Sequence, residues 1–372
     1  MYVINARNAH QALPMGLSLL QKHGIREETR AGPVLRYPGP VTTVLSDPQE
    51  RVVFHPWRDA NPFFHIVEAA WMLAGRNDLK SLTPYVARMK DFSDDGGVTM
   101  PGAYGKRWRD WFTSPPQIPD NDGPHEITVP SLDQLNWTVR RLRTNPNDRR
   151  VVIQMWDARN DPEAADNNSA DVPCNLSMIP WVMNNALHLS IFNRSNDIIW
   201  GLYGANAVHF SVVLEYLAGR LGLGVGAMTT FSNNFHAYTD KIPSDKTVEH
   251  ALYRTGDPYC DAVEPFSLLD GKAPDTDIMR YVDESTRDRV MQEDLKVFFD
   301  EGALACTTKT VRWPWLRRVL VPMALAHQRF KGPRVGRYAG TLSILKSVQA
   351  SDWRRAAEEW IIRRRDKTAL HD

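Results

Sequence analysis

The chain has 372 residues, 42% of them hydrophobic and 24% charged, with a formal net charge of +1. That is a globular composition, long enough for one large domain or two smaller ones. The near-neutral charge excludes a broad electrostatic grip on nucleic acid, and 12 Trp, 11 Tyr and 13 Phe exclude a disordered chain. Cys174, Cys260 and Cys306 are too few for a disulfide framework and too scattered for a zinc site, so no metal is expected. The start, MYVINARNAHQALPMG, lacks the apolar run of a signal peptide. No window approaches about 18 uninterrupted apolar residues, so no membrane span is expected. The chain reads as one of a reducing compartment, in the cytoplasm of the producing cell.

In chain order, the first clear element is Asn61-Pro62 followed by FFHIVEAAWMLAG. Asn61 suits an N-cap, Pro62 suits the first helical position, and Gly75 can end the helix. DFSDDGGVTMPG reads as a loop, and residues 113–130, rich in Pro and Asp, as an exposed insertion. LDQLNWTVRRLRTNP predicts an amphipathic helix and RRVVIQMWD a strand. LSMIPWVMN and ALHLSIFNRSN predict two strands joined by a hairpin turn at Asn184-Asn185. NAVHFSVVLEYLAG predicts a buried central helix and GVGAMTTFSNN another strand. After about residue 285 the pattern turns helical, in RDRVMQEDLKVFFDEG, WLRRVLVPMALAHQRF and the basic SDWRRAAEEWIIRRR. A boundary between an α+β body, 1–275, and a helical extension, 276–372, follows from that shift.

Four groups of residues can carry chemistry. Cys174, in DVPCNLS, is by itself more readily a small buried apolar residue than a nucleophile. Arg194, at the end of the neighbouring strand, favours the second reading, because a cation beside a thiol favours the thiolate. Glu68 lies four residues after Phe64 and three before Trp71, so it shares their helix face and can relay protons if that face is buried. FNRSND and GANAVHF place Arg194, Ser195, Asp197 and Asn206 just before the buried helix, and an amide can read a heterocycle edge with one donor and one acceptor. In SNNFHAY, His236 and Tyr238 alternate so as to share one strand face.

Taken in this order, these segments resemble the thymidylate synthase superfamily over roughly residues 25–245. VEAAWMLAG is similar to the family's helix carrying its catalytic glutamate, here Glu68, with Trp71 on the same helix placed toward folate. PGAYGKRWRDW is similar to the segment carrying its active-site tyrosine, here Tyr104. NPNDRRVVIQMWD resembles the double-arginine strand whose arginines, here Arg149 and Arg150, reach the partner's nucleotide phosphate across a homodimer. PCN, NRSND, GAN and FHAY resemble the nucleotide core. The resemblance implies Cys174 as nucleophile, Arg194 and Ser195 on phosphate, and Asp197 facing folate. It also implies Asn206 on the base and His236 with Tyr238 on the sugar hydroxyl. Arg30, in EETRAG, matches the family's N-terminal phosphate-binding arginine. The fold implied is an α+β body, a mixed twisted sheet flanked by helices. The implied partners are a pyrimidine nucleoside monophosphate and 5,10-methylenetetrahydrofolate as co-substrate.

Three departures bear on which reaction is implied. The loop MKDFSDDGG lacks the tryptophans that synthases carry before the tyrosine. The chain continues through further helices and ends in the polar DKTALHD, where synthases end in a short apolar tail. IIWGLYGA, between Asp197 and Asn206, is one residue longer than its counterpart. A wetter site follows from the first two, and water attack on the one-carbon unit gives a hydroxymethyl group where hydride transfer gives a methyl. The hydroxymethylase branch is therefore expected, of the kind used by viruses that replace a base in their DNA, which would place the protein in the cytoplasm of an infected host. Asn206 points to deoxyuridylate ahead of deoxycytidylate, while His209 stands where synthases carry serine. The alternatives are reductive methylation to thymidylate, or a catalytically silent relative binding nucleotide or nucleic acid through Arg354, Arg355, Arg363, Arg364 and Arg365.

Overall fold

A computed structural model describes residues 1–112, 131–268 and 283–369. The expected insertion at 113–130 and the expected boundary at 275/276 lie outside the described residues.

The chain opens with β1 (Tyr2–Ala6), α1 (Ala9–His23), β2 (Ile25–Thr29), β3 (Gly32–Arg36) and β4 (Val41–Leu45), none of which the sequence pattern had singled out. α2 (Pro62–Leu73) forms as expected: the Asn61 side chain accepts the Phe64 N–H, and Gly75 turns the chain away at φ 67°. Every residue of α2 is buried, Glu68 included. α3 (Tyr104–Arg109) and α4 (Gln134–Thr144) follow. The strand expected over RRVVIQMWD shrinks to β5 (Ile153–Gln154). Its backbone is satisfied locally, because the Gln134 side chain accepts the Gln154 N–H at 2.8 Å and donates to the Gln154 carbonyl at 2.9 Å. α5 (Asp161–Asp166) precedes the hairpin of β6 (Asn175–Met183) and β7 (Ala186–Asn193). Asn184 and Asn185 both take positive φ, 51° and 58°, as a tight twisted hairpin turn requires. Then come β8 (Asn196–Asp197), a π-helical segment Ile198–Ala205, α6 (Asn206–Leu221), β9 (Gly224–Ser232) and β10 (Phe235–Tyr238).

The larger sheet has the order β1-β4-β9-β7-β6-β5 and is mixed, with parallel pairs β1/β4 and β7/β9 among antiparallel ones. The smaller, β2-β3-β10-β8, places β8 and β10 side by side, pairing Asp197 with His236. α6 packs on β7 and β9, and α2 packs on α6. The run Ile198–Leu221 is long and apolar enough to cross a membrane, but it is 78% buried and serves as this central layer. The inner side of the large sheet is closed by Met178, Leu187, Leu189, Ile191 and Met228.

The remaining elements are α7 (Asp245–Tyr253), α8 (Pro258–Asp261), α9 (Glu284–Lys296), α10 (Ala305–Thr308), α11 (Val321–Lys331), α12 (Arg337–Leu345) and α13 (Ser351–Ala369). They continue the core outward from α2: His327 and Trp360 lie against Phe63 with ring centroids 5.3 and 5.5 Å away. The basic stretch of α13 is used in this packing. Arg363 and Arg364 both bind Asp59, and the Arg364 guanidinium sits 3.2 Å from the Trp360 ring centroid. One apolar cluster runs unbroken from Ile4 to Ile361.

Candidate active site

Asp171, Val172 and Pro173 lead into β6, and Cys174 stands just before its first residue, partly exposed. Arg194, at the end of β7, fixes this lead-in. Its backbone N–H donates to the Cys174 carbonyl at 3.0 Å, while its guanidinium donates to the carbonyls of Pro173 at 2.8 Å and Val172 at 2.9 Å. The cation beside the sulfur is thus engaged with backbone. Burial pushes the Cys174 thiol above its ordinary range; Arg194 pulls it down, and Asp171 and Asp197 push it up again. Arg194 thus acts in the expected direction, favouring the thiolate, against a larger opposing effect of desolvation.

α6 carries three site side chains at successive points of its first turn. Asn206 donates toward Asn196 Oδ1 at 3.4 Å. His209, one turn on, meets Glu68 across the α2–α6 contact, Nε2 to Oε2 2.9 Å, with both residues buried. Phe210 stacks on Tyr104, ring centroids 6.2 Å apart and planes at 29°. Tyr104 opens α3, which can lie this close to α2 because Gly105 has no Cβ: one would sit 2.5 Å from the Met72 Cα. Burial raises the Tyr104 phenol, and the neighbouring Cys174 and Asp171 add to it.

The opposite wall comes from the small sheet. Asp197 accepts the N–H groups of Ile199 at 3.1 Å and Trp200 at 3.0 Å, yet burial still raises its carboxyl pKa. His236, paired with it in register, has its Nδ1 3.0 Å from Asn234 Oδ1, and burial lowers its pKa while Asp197 opposes. Tyr238 lies edge-on to His236 at 5.8 Å; burial raises its phenol, with Asp197 and Cys174 adding to the rise and Arg30 opposing it. Arg30 is exposed, its Nη1 3.4 Å from the carbonyls of Asn168 and Ser169. Ser195, half-buried in the link from β7 to β8, makes no side-chain hydrogen bond among the described residues.

Two expected groups lie apart. Arg149 and Arg150 are exposed and make no contact with these side chains among the described residues; Arg150 folds back onto Asp148 at 2.9 and 3.0 Å. Trp71 is fully buried, its indole N–H donating to the Asp78 carbonyl at 3.0 Å. The expectation that it faces a cofactor is corrected: it points into the core and offers no surface.

Three residues escaped the sequence reading of the site. Asp171 is half-buried, accepts the Gly102 N–H at 2.8 Å and has its carboxyl pushed up to about 6 by desolvation. Arg58 is buried, donating to the Ile199 carbonyl at 2.8 Å, with Trp200 at 4.3 Å and its two Nη atoms without a protein partner among the described residues. No sequence signal marked either. The third is the role of His209 as the Glu68 partner: the sequence marked the residue as a departure from serine, and its three-residue spacing from Asn206 was available as a signal for that contact.

Fold and site together define a group-transfer enzyme. A family model described as thymidylate synthase matches residues 58–282. A deoxyuridylate hydroxymethyltransferase of Pseudomonas phage M6 is 39% identical over 98% of this chain and 95% of its own length. The chain belongs to the thymidylate synthase family. A deoxyuridylate hydroxymethyltransferase of Bacillus phage SP01 is 37% identical over 54% of this chain and 50% of its own. A thymidylate synthase of Symbiobacterium thermophilum is 29% identical over 56% of this chain and 72% of its own.

Proposed function

We propose that the protein moves a one-carbon unit from 5,10-methylenetetrahydrofolate to position 5 of deoxyuridylate and leaves it there as a hydroxymethyl group, through an adduct on Cys174. The observation that carries this reading is a partly exposed cysteine at the head of β6, within electrostatic reach of Tyr104, Asp197 and Tyr238. Position 5 of uracil is a poor nucleophile. Thiolate addition at position 6 makes the ring enolate-like and able to attack a one-carbon electrophile.

In this reading Glu68 and Tyr104 relay protons, and Asn206 reads the base edge. His236 and Tyr238 take the sugar hydroxyl, and Arg30, Arg194 and Ser195 hold the phosphate. Arginine forks suit that anion because they pair with phosphate oxygens in a bidentate way. Bound folate supplies the electrophilic carbon. Asp197, and the indole of Trp200 beside it, 53% exposed, fit a flat heterocycle with N–H donors.

Water rather than hydride as the final acceptor is supported by the likeness to the phage M6 protein, which extends through the C-terminal helices. The tryptophan-free loop supports it too, with Phe92 turned to solvent. Residues 1–275 form the catalytic part in this account and 276–372 an extension that backs α2. A second copy completes the site. The outer face of the large sheet carries Ile179, Trp181, Phe192 and Phe231, an apolar surface suited to pairing back to back and to bringing Arg149 and Arg150 to the neighbour's phosphate. The reaction would run in the cytoplasm of the producing cell or infected host.

The experiment is incubation with deoxyuridylate and methylenetetrahydrofolate, with mass spectrometry of the nucleotide and absorbance for dihydrofolate. A nucleotide heavier by CH2O with no dihydrofolate is expected. A gain of CH2 with stoichiometric dihydrofolate would instead make it a thymidylate synthase. Parallel runs with dCMP and CMP read the base and sugar.

A further inference from the structure

We infer that His209 is the positioning residue that sends the nucleotide adduct to water. The inference rests on the proposed hydroxymethyl transfer and names the device that selects it. Three observations place His209 there. Its Nε2 is 2.9 Å from Glu68 Oε2, and both side chains are buried, so the pair is a strong, water-excluded contact. Its Nδ1 is buried and has no protein partner among the described residues, and such an atom calls for an explanation. It lies one helical turn from Asn206, on the face that reads the base.

A serine at this position, as in the synthases, offers Glu68 a hydroxyl. An imidazole holds Glu68 from a rigid ring through Nε2 and carries a second nitrogen, Nδ1, that a hydroxyl lacks. The step it serves balances as follows. After tetrahydrofolate leaves, position 5 carries an exocyclic C=CH2 conjugated with the C4 carbonyl, and position 6 carries the Cys174 sulfur. Water oxygen bonds to the CH2 carbon, the exocyclic π pair moves into the ring as the C4 enolate, and a water proton passes to Glu68. The enolate then reforms C4=O, the C5=C6 double bond forms, and the C6–S bond breaks to release the Cys174 thiolate. His209 acts through Glu68: its Nε2–H donates to the carboxylate and holds it where the water proton arrives.

The test uses the full chain with deoxyuridylate tritiated at position 5 and methylenetetrahydrofolate. Tritium release reports formation of the adduct, and mass spectrometry reports the hydroxymethyl product. In His209→Ser, product should fall about tenfold more than tritium release, with the difference recovered as Cys174-linked adduct or as thymidylate with dihydrofolate. His209→Gln, which keeps a donor for Glu68, should recover much of the product-to-tritium ratio. An unchanged ratio in His209→Ser would overturn the inference. Should that variant fail to fold, His209→Asn, close in shape but too short to place a donor where Nε2 meets Glu68, must still lower the ratio, and an unchanged ratio there overturns it equally. A wild-type protein that makes no hydroxymethyl product overturns the functional reading itself. One that makes it, with variants of unchanged ratio, overturns only the role of His209.

Discussion

Arg194 and Cys174 are joined backbone to backbone, the Arg194 N–H donating to the Cys174 carbonyl at 3.0 Å, while the Arg194 guanidinium grips the two residues before the cysteine. One arginine therefore sets both the path of the loop and part of the field at the sulfur. Burial leaves the thiol above its usual range, with Arg194 pulling down and Asp171 pushing up.

Opposite changes at these two neighbours should move Cys174 reactivity in opposite directions. In a Cys260→Ser background, which removes the exposed competing thiol, Arg194→Ala should slow alkylation of Cys174 at pH 8. Asp171→Asn should speed it, because the amide keeps an acceptor for the Gly102 N–H and drops the charge. Peptide mass spectrometry of iodoacetamide labelling reads both, and changes of the same sign would show that loop geometry, not charge, governs the sulfur.

Asn206 can present its amide to uracil in one orientation and to cytosine when flipped. Asn206→Asp offers only acceptors and suits the cytosine amino group. The ratio of activity on dCMP to that on deoxyuridylate should rise about tenfold, the scale of one hydrogen bond gained against one lost. An unchanged ratio would assign base reading to another residue.

If Arg149 and Arg150 serve the neighbouring site, sites can be rebuilt from broken parts. Cys174→Ala and Arg150→Ala should each be nearly inactive alone, and refolding them together should restore turnover in the mixed dimer. Trp181→Lys, on the outer sheet face, should shift the protein to monomer in sedimentation and abolish that rescue. Mixed dimers without recovered turnover would place both arginines outside the catalytic cycle.

The docking of the last helix should be pH-sensitive. Asp352, at the start of α13, is buried with its carboxyl pushed up to about 7, and it accepts from the Tyr259 hydroxyl at 3.0 Å. Because its folded value lies above the unfolded one, the unfolded state ionises first as pH rises. Stability is therefore present in full at acid pH and lost progressively from about pH 4 through pH 7. Thermal melts from pH 5 to 8 should show this slope in the wild type and a smaller one in Asp352→Asn; equal slopes would remove Asp352 as its source.

The parts of the fold legible in the sequence were those with strong local signals. Asn61-Pro62 opens α2, Asn184-Asn185 turns the β6–β7 hairpin, and the all-round apolar run from Asn206 gives the central helix. The N-terminal strands were not legible, because β1 and β4 are five residues each and β4 takes its antiparallel partner, β9, from far along the chain. In the site, the motif order implied roles for Glu68, Tyr104, Asn206 and the His236–Tyr238 pair; the structure sets Glu68 against His209, one turn from Asn206, and Tyr238 against His236. Trp71 misled because its indole is turned into the core and held by the Asp78 carbonyl, a tertiary contact no local pattern announces. Arg58 and Asp171 stayed hidden because tertiary burial, not local pattern, makes them unusual.

The central claim is tested most directly by turnover of Cys174→Ala, measured beside its binding of deoxyuridylate. The account predicts nucleotide still bound and product formation down by more than about 1,000-fold, as loss of a covalent nucleophile requires. Hydroxymethyl product at an undiminished rate from that variant would contradict it.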